Sequence, residues 1–121
     1  MSAPARQTRE LVLTRDDWTC LGCGRSIRST YYWSMQHRVA RGVGGGNGPE
    51  NLVTLCGSAT SPGCHLLCEQ RDTEMRARGF VVPSWNDPLD IPVVLWTGRA
   101  VYLTTTGEYA GTAERHDDER D

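Results

Sequence analysis

The chain has no lysine, and all 13 of its basic residues are arginines. Arginine pairs with phosphate through two parallel N–H groups, but a bias toward GC-rich codons explains the missing lysine more simply. The formal net charge is −2, so the total charge does not indicate a nucleic-acid partner. The charge is unevenly distributed, since residues 1–80 carry ten arginines against seven acids and residues 81–121 carry three against eight.

Long hydrophobic runs are also missing. Hydrophobic residues make up 38% of the chain, which is low for a small domain that must fold by burial alone. No run approaches the ~20 apolar residues of a membrane span, and the first ten residues are too polar for a secretory signal. These absences predict a cytoplasmic protein without a membrane partner. In that compartment we expect the five cysteines to bind metal rather than to form disulfides.

Four of the cysteines fall into two closely spaced pairs. The pairs are Cys20 with Cys23, and Cys56 with Cys64. A tetrahedral zinc ion takes four thiolates and can hold two loops together, and its binding would supply the stability that a modest core lacks. The fifth cysteine, Cys68, is predicted to be a buried small hydrophobic residue.

Hydrophobic periodicity and turn residues predict the elements around these cysteines. They are a helix over 8–15, strands over 31–39 and 51–55 joined by a glycine-rich loop over 41–50, a helix over 64–78, a short strand over 80–82, and a hairpin formed by 93–96 and 100–104. Two strands followed by a helix, with cysteines before and between them, predict a ββα unit clipped by zinc.

Four segments of this unit resemble the HNH endonuclease family, also called ββα-metal nucleases. The resemblance is strongest to the small zinc-stapled members found in actinobacterial phages. The segments are residues 18–24, 36–45, 51–57 and 63–65, and the resemblance covers about residues 9–82. Each segment alone is a weak signal, but four in the right order are a strong one. The resemblance implies an α+β fold, a small ββα-metal (HNH) domain with a four-cysteine zinc staple, to which a C-terminal β-hairpin extension is added.

We therefore expect four regions along the chain. They are a disordered leader over 1–8, an HNH nuclease domain over 9–82, a β-hairpin extension over 83–111 packed on the same domain, and a disordered acidic tail over 112–121.

The resemblance also implies roles for single residues, matched by position. His37 corresponds to the general base, Asn51 to the middle asparagine, and His65 to a ligand of a catalytic divalent ion, Mg²⁺ or Mn²⁺. The structural zinc ligands correspond to Cys20, Cys23, Cys56 and Cys64. Gln36 stands where relatives often have an Asp, Glu or His that binds the catalytic ion, so the resemblance implies a weaker, neutral oxygen ligand there.

Simpler interpretations compete with some of these roles. His37 could be a satisfied polar residue on a strand, and His65 could be the fourth zinc ligand in place of a cysteine. Asn51 is expected to hold the 39–50 loop by backbone hydrogen bonds and so to aim His37. Glu69, one helical turn after His65, is either a further metal ligand or a solvated charge.

Arg38 and Arg41 flank the predicted base. Surface charge is the simpler interpretation of both, but with a phosphate substrate we expect them to bind the DNA backbone without reading sequence.

The sequence thus predicts a metal-dependent HNH endonuclease that hydrolyses DNA phosphodiester bonds, by nicking or by double-strand cleavage. The resemblance further implies a phage-encoded protein that acts in the bacterial host cytoplasm, with the phage terminase large subunit as a partner in genome packaging. The alternative is a non-catalytic zinc-ribbon module that binds nucleic acid or protein. That alternative explains the cysteines and arginines, but it does not explain His37, Asn51 and His65 at their matching positions.

Overall fold

The computed structural model describes residues 3–28 and 32–114. The helices and strands are α1 Arg6–Arg15, β1 Trp33–His37, β2 Leu52–Cys56, α2 Cys64–Glu69, α3 Thr73–Ala77, β3 Val93–Val94, β4 Ala100–Leu103 and β5 Tyr109–Ala110. Single turns of 3₁₀ helix lie at Arg41–Val43, Pro49–Asn51 and Pro88–Asp90. This mixture of helix and sheet confirms the predicted α+β class.

The β1–β2 hairpin is the centre of the fold. Its strands are antiparallel, with His37 opposite Leu52 and Trp33 opposite Cys56. Every residue of β2 is buried, whereas β1 is buried only at Gln36. β2 therefore runs through the core, and β1 keeps one side near the surface, where its polar side chains can form a site.

The prediction of one continuous helix over 64–78 is wrong, because this part of the chain forms two helices. α2 ends at Glu69, and Arg71 then takes a left-handed backbone conformation with φ 54°. The Asp72 carboxylate accepts hydrogen bonds from the first N–H groups of α3. Such a side-chain cap satisfies the free N–H groups of a new helix and so competes with continuation of the old one.

One further detail of the predicted elements is wrong. Residues 80–82 form no strand: Phe80 is fully buried in the core, and Val82 donates one backbone hydrogen bond to the Arg38 carbonyl at 2.8 Å. Burial and isolated hydrogen bonds of this kind hold the segment in place without a strand partner. The C-terminal hairpin is present as β3 and β4, but β5 pairs with β4 and extends it to a three-stranded antiparallel sheet.

Helix α1 begins at Arg6, two residues before the predicted start at Thr8, so part of the predicted leader over 1–8 is helical. Residues 1–2 of that leader lie outside the described residues, as do residues 115–121 of the predicted acidic tail. Just before them, the Glu114 carboxylate accepts hydrogen bonds from the backbone and hydroxyl of Thr105 at 2.7 and 2.6 Å. None of the helices in the described parts has the length and apolar character needed to cross a bilayer.

One hydrophobic core joins the ββα unit to the C-terminal sheet. It contains Cys20, Val53, Leu55 and Cys64 from the former, and Val93, Leu95, Val101 and Leu103 from the latter. A buried carboxylate strengthens the junction. Asp16 at the end of α1 accepts hydrogen bonds from the Arg15 guanidinium at 2.7 Å, the Thr54 backbone N–H at 3.1 Å and the Tyr109 hydroxyl at 2.8 Å. The C-terminal sheet thus helps to support β2 and the segments it carries.

Candidate metal centre and active-site cleft

Four cysteine side chains converge at one end of the β1–β2 hairpin. Their sulfur atoms all lie within 4.8 Å of one another, and they belong to Cys20, Cys23, Cys56 and Cys64. The Cys23 and Cys56 sulfur atoms are 3.8 Å apart. Four ligands placed ~2.3 Å from a tetrahedral zinc ion lie about 3.8 Å from each other. The donor set and its spacing therefore fit a tetrahedral metal ion, which confirms the predicted grouping of these four cysteines.

Glycines allow the cysteine-bearing segments to approach. A side chain on Gly22 would place its Cβ 2.8 Å from the Cys64 sulfur. Gly57 has φ +77°, and a Cβ there would lie 2.6 Å from the Pro62 carbonyl oxygen. The ends of the loop between Cys56 and Cys64 therefore touch. This closure accommodates the long spacing of the second cysteine pair.

The electrostatics of the cluster favour a cation. A hydrogen bond with the Cys64 thiol lowers the pKa of Cys20 to about 5, whereas the neighbouring Cys20 raises the pKa of Cys64. One thiolate therefore opposes the ionisation of the next. A divalent cation removes this repulsion, because it stabilises each thiolate that binds it. The Cys64 backbone N–H also points at the Cys56 sulfur, at 3.3 Å.

Two of the three predicted catalytic side chains, those of His37 and His65, line a single cleft of about 670 Å³ next to this cluster, whereas Asn51 does not line it. The cleft is lined by Gln36 and His37 from β1, His65 and Glu69 from α2, and Arg41 from the loop after β1. The structure thus brings together side chains that are up to 33 positions apart in the chain. Cys68 is buried and lies outside the four-cysteine cluster.

His65 is buried and held by a relay of two hydrogen bonds. Its Nδ1 lies 2.5 Å from the Ser34 hydroxyl, which donates its own proton to the Gly57 carbonyl at 2.7 Å. A hydroxyl has one proton to give, so the Ser34 oxygen accepts from Nδ1–H. In the neutral ring the other nitrogen, Nε2, is then unprotonated, and it lies 3.9 Å from a Glu69 carboxylate oxygen. A histidine whose Nδ1–H is held in this way presents Nε2 to a metal ion.

Burial also lowers the pKa of His65 below its ordinary value. The imidazole is then neutral at pH 7, which is the form that binds a cation. His65 is not part of the cysteine cluster, so the geometry does not favour the alternative in which it is a ligand of the structural ion.

His37 is oriented by a residue that the sequence analysis missed. Its Nε2 lies 2.8 Å from the Asn47 side-chain oxygen. An amide oxygen only accepts hydrogen bonds, so Nε2 is the donor, and in the neutral ring Nδ1 carries the free lone pair. The available signal was the single asparagine within the glycine-rich loop over 41–50. Only the fold shows that this asparagine reaches His37.

Asn51 is buried and its side chain forms hydrogen bonds with the backbone just before the loop and in the middle of it. Its side-chain oxygen accepts from the Val39 N–H at 2.8 Å, and its NH₂ group donates to the carbonyl oxygens of Val39 and Gly46 at 3.0 and 2.9 Å. These are the hydrogen bonds that a residue holding the 39–50 loop must make. They also fix the segment that carries Asn47.

Gln36 lines the cleft although it is 95% buried. Its NH₂ group donates to the Phe80 carbonyl at 3.2 Å, and its Oε1 has no hydrogen bond among the described residues. The oxygen is thus the atom free to bind a cation. Among the described residues, the four cysteines form the only group of three or more His, Cys, Asp or Glu side chains that lie close enough to share an ion. A second ion in the cleft would therefore have few protein ligands and would keep positions open for water and phosphate.

The prediction that Arg38 binds DNA is wrong, because its side chain is buried at 1% exposure. The guanidinium donates to four backbone carbonyls, those of Gly79, Glu50, Pro88 and Ile91, at 2.6–3.0 Å. Burial lowers the pKa of Arg38 to about 9, which still leaves it protonated at neutral pH. Arg38 fastens the β1–β2 hairpin to the chain beyond α3. Arg41, in contrast, is exposed on the wall of the cleft.

The comparisons with known proteins agree with this geometry. Residues 20–66 match the family model described as HNH endonuclease. The match begins at the first cysteine of the cluster, ends just after His65, and includes His37 and Asn51. Neither the comparison with curated proteins nor the comparison with solved structures found a match. The predicted resemblance is confirmed over this segment: residues 20–66 match the model of the HNH endonuclease family.

Proposed function

We propose that the chain is a metal-dependent endonuclease that hydrolyses DNA phosphodiester bonds. One observation carries the proposal: His37 and His65 line the same cleft, and in each ring a neighbouring side chain forms a hydrogen bond with one nitrogen and leaves the other available for a proton or a cation. A general base and a metal ligand both need that arrangement. A zinc-binding module without catalytic activity has no use for it.

In this reaction His37 Nδ1 takes a proton from water as the water oxygen attacks phosphorus. The Nε2–H to Asn47 hydrogen bond stabilises the imidazolium that forms, since a fixed acceptor favours the positively charged ring. Asn51 holds the loop that carries Asn47. It therefore acts on the base through the backbone and does not touch the substrate.

A catalytic divalent ion, Mg²⁺ or Mn²⁺, would be held by His65 Nε2 and Gln36 Oε1. When bound, it supplies Lewis-acid stabilisation of the charge that develops on the phosphate and the leaving 3′ oxygen. Arg41 lies on the cleft wall, where its guanidinium can bind a neighbouring phosphate through two N–H groups. Such a contact positions the DNA backbone without reading sequence.

The four cysteines would hold a structural Zn²⁺, which would fix the two ends of the catalytic segment. Cys64 is followed directly by His65, and Cys56 is followed directly by Gly57, which accepts the Ser34 hydrogen bond. Two of the cysteines are thus adjacent in the chain to residues of the His65 relay. We expect loss of the zinc to disturb His65 as well as the fold.

Plasmid nicking by the native chain and by His37→Ala tests the proposal. Native protein should nick in Mg²⁺ or Mn²⁺, and His37→Ala should be about 10²- to 10⁴-fold slower, with unchanged zinc content and melting temperature. Imidazole added to the variant should restore part of the rate. EDTA alone is ambiguous because it can strip the structural zinc, so each chelated sample needs separate re-addition of Zn²⁺ and of Mg²⁺. Native-rate nicking by His37→Ala would refute the mechanism and favour the zinc-ribbon module.

The finer proposals concern context. The resemblance supports a phage protein that works in the host cytoplasm beside the terminase large subunit. Co-purification of the two proteins, together with stimulation of cleavage by the terminase, would test that partnership. Sequencing the ends of the products would distinguish nicking from double-strand cutting.

A further inference from the structure

We propose that the mouth of the cleft binds an unpaired nucleotide, with Trp85 stacking on its base and Arg71 binding its phosphate. The preferred substrate is then DNA with a single-stranded or frayed segment beside the scissile bond. This inference rests on the proposed nuclease function and specifies its substrate class. Both residues lie outside the segment that matches the family model.

Trp85 is the most exposed large hydrophobic side chain in the described residues, at 84%, and it lines the same cleft as His37. The other tryptophans have partners. Trp18 and Trp33 meet edge to face with ring centroids 6.2 Å apart, and Trp96 packs against the backbone of Gly24. The Trp85 ring has no hydrogen bond, ring contact or cation contact with any described residue. At 84% exposure the ring is accessible to a flat ligand.

The segment that carries Trp85 is fixed at both ends. The Asn86 N–H donates to the Pro83 carbonyl at 3.0 Å, which closes a turn around Trp85. Before the turn, Val82 is buried and bonds to the Arg38 carbonyl at 2.8 Å. After it, the Asp87 carboxylate caps the turn Pro88–Asp90. A ring held on a constrained turn loses little conformational entropy when it binds a ligand.

The charge around the cleft suits a polyanion. Its lining includes Arg9, Arg41 and Arg71, whereas Glu69 is its only acid among the described residues. Arg71 takes φ 54°, a conformation that is uncommon for residues other than glycine. Its guanidinium has no hydrogen bond or ion pair with the described residues. Arg71 is therefore an exposed cation on the cleft wall, where its guanidinium can bind a phosphate through two N–H groups.

The pairing of an open aromatic face with arginine favours an unpaired base over a duplex. In a duplex, the base faces are covered by neighbouring bases, and only their edges reach the grooves. In single strands the faces are free, and an aromatic ring that stacks on one typically strengthens binding by roughly 10- to 100-fold. Every base has such a face, so this contact selects strand structure without selecting sequence.

The test measures binding without cleavage. In a His37→Ala background with zinc bound, fluorescence anisotropy would compare one oligonucleotide as a single strand, as a blunt duplex and as a duplex with a frayed end. We expect tighter binding of the single-stranded and frayed forms. Trp85→Ala should weaken these two by roughly 10- to 100-fold and change the blunt duplex by less than about threefold. Trp85→Phe should keep most of the affinity, whereas Trp85→Leu, which keeps apolar area without an aromatic face, should lose it.

Arg71→Ala has a matched control in Arg99→Ala, because Arg99 is exposed in the β3–β4 turn and does not line the cleft. Arg71→Ala should weaken DNA binding. It should also reduce the slope of log affinity against log salt concentration by the amount expected for about one lost phosphate contact. Arg99→Ala should change neither the affinity nor the slope. Equal losses for all three DNA forms on Trp85→Ala, no loss, or tighter binding of the blunt duplex would overturn the inference. Binding and cleavage are read separately, so a chain that cleaves but shows no Trp85 effect refutes only the stacking site. A chain that binds as expected but never cleaves refutes only the nuclease.

Discussion

Replacing Arg38 with lysine tests whether this arginine stabilises the fold or binds DNA. The guanidinium donates to the four carbonyl oxygens at 2.6–3.0 Å. An ammonium has three protons on one atom and cannot span all four acceptors, so at least one buried carbonyl loses its donor and the others are strained. Hydrogen bonds from a charged donor contribute about 1.5–3 kcal/mol each. We therefore expect Arg38→Lys to lower the free energy of unfolding by about 3 kcal/mol or more, against a typical total of about 5–15 kcal/mol.

For a domain of this size, a loss of 3 kcal/mol corresponds to a fall of roughly 10–15 °C in melting temperature. Thermal unfolding followed by circular dichroism, at matched zinc content, measures it. Arg41→Lys is the control. Because Arg41 is exposed, the melting temperature of this variant should stay near that of the native protein, as is usual for surface substitutions. If Arg38→Lys melts with the native protein and changes only DNA affinity, the structural account of Arg38 is wrong.

Three further changes test the site. Cys56→Ser should lose the bound zinc and the cooperative unfolding transition, since metal binding free energy is folding free energy in such domains; zinc analysis and circular dichroism check this, and a stable, zinc-loaded variant would contradict it. Ser34→Ala should weaken Mn²⁺ binding by about 10-fold at unchanged zinc content, and Ser34→Thr should restore the affinity. Calorimetry measures the Mn²⁺ affinity, and ¹⁵N NMR shows whether His65 Nδ1 keeps its proton. Equal Mn²⁺ affinities of Ser34→Ala and the native protein would mean that Ser34 does not support the site. Gln36→Asp should lower the Mg²⁺ concentration for half-maximal nicking, because a carboxylate neutralises more of the ion's charge than an amide does; an unchanged or higher concentration would mean that position 36 does not face the ion.

The features that the sequence determined are local ones. Cysteine spacing and flanking glycines predicted the metal cluster, and alternation around the glycine-rich loop predicted the β1–β2 hairpin. The order of these short patterns predicted the HNH family, which the match at residues 20–66 confirms. Each prediction depends on neighbouring positions along the chain. Chemistry such as metal ligation or a tight turn constrains those positions directly.

The tertiary structure decided which polar side chains meet and which are buried. Arg38 and Arg41 look alike in the sequence, yet Arg38 is buried and donates to four carbonyls, whereas Arg41 is exposed on the wall of the cleft. Asn47 looks like an ordinary loop residue until the fold brings it to His37. The hydrogen-bond partners of Arg38 lie 12 to 53 positions away in the chain. Such pairings depend on how the core packs, and no local pattern of residue types encodes them.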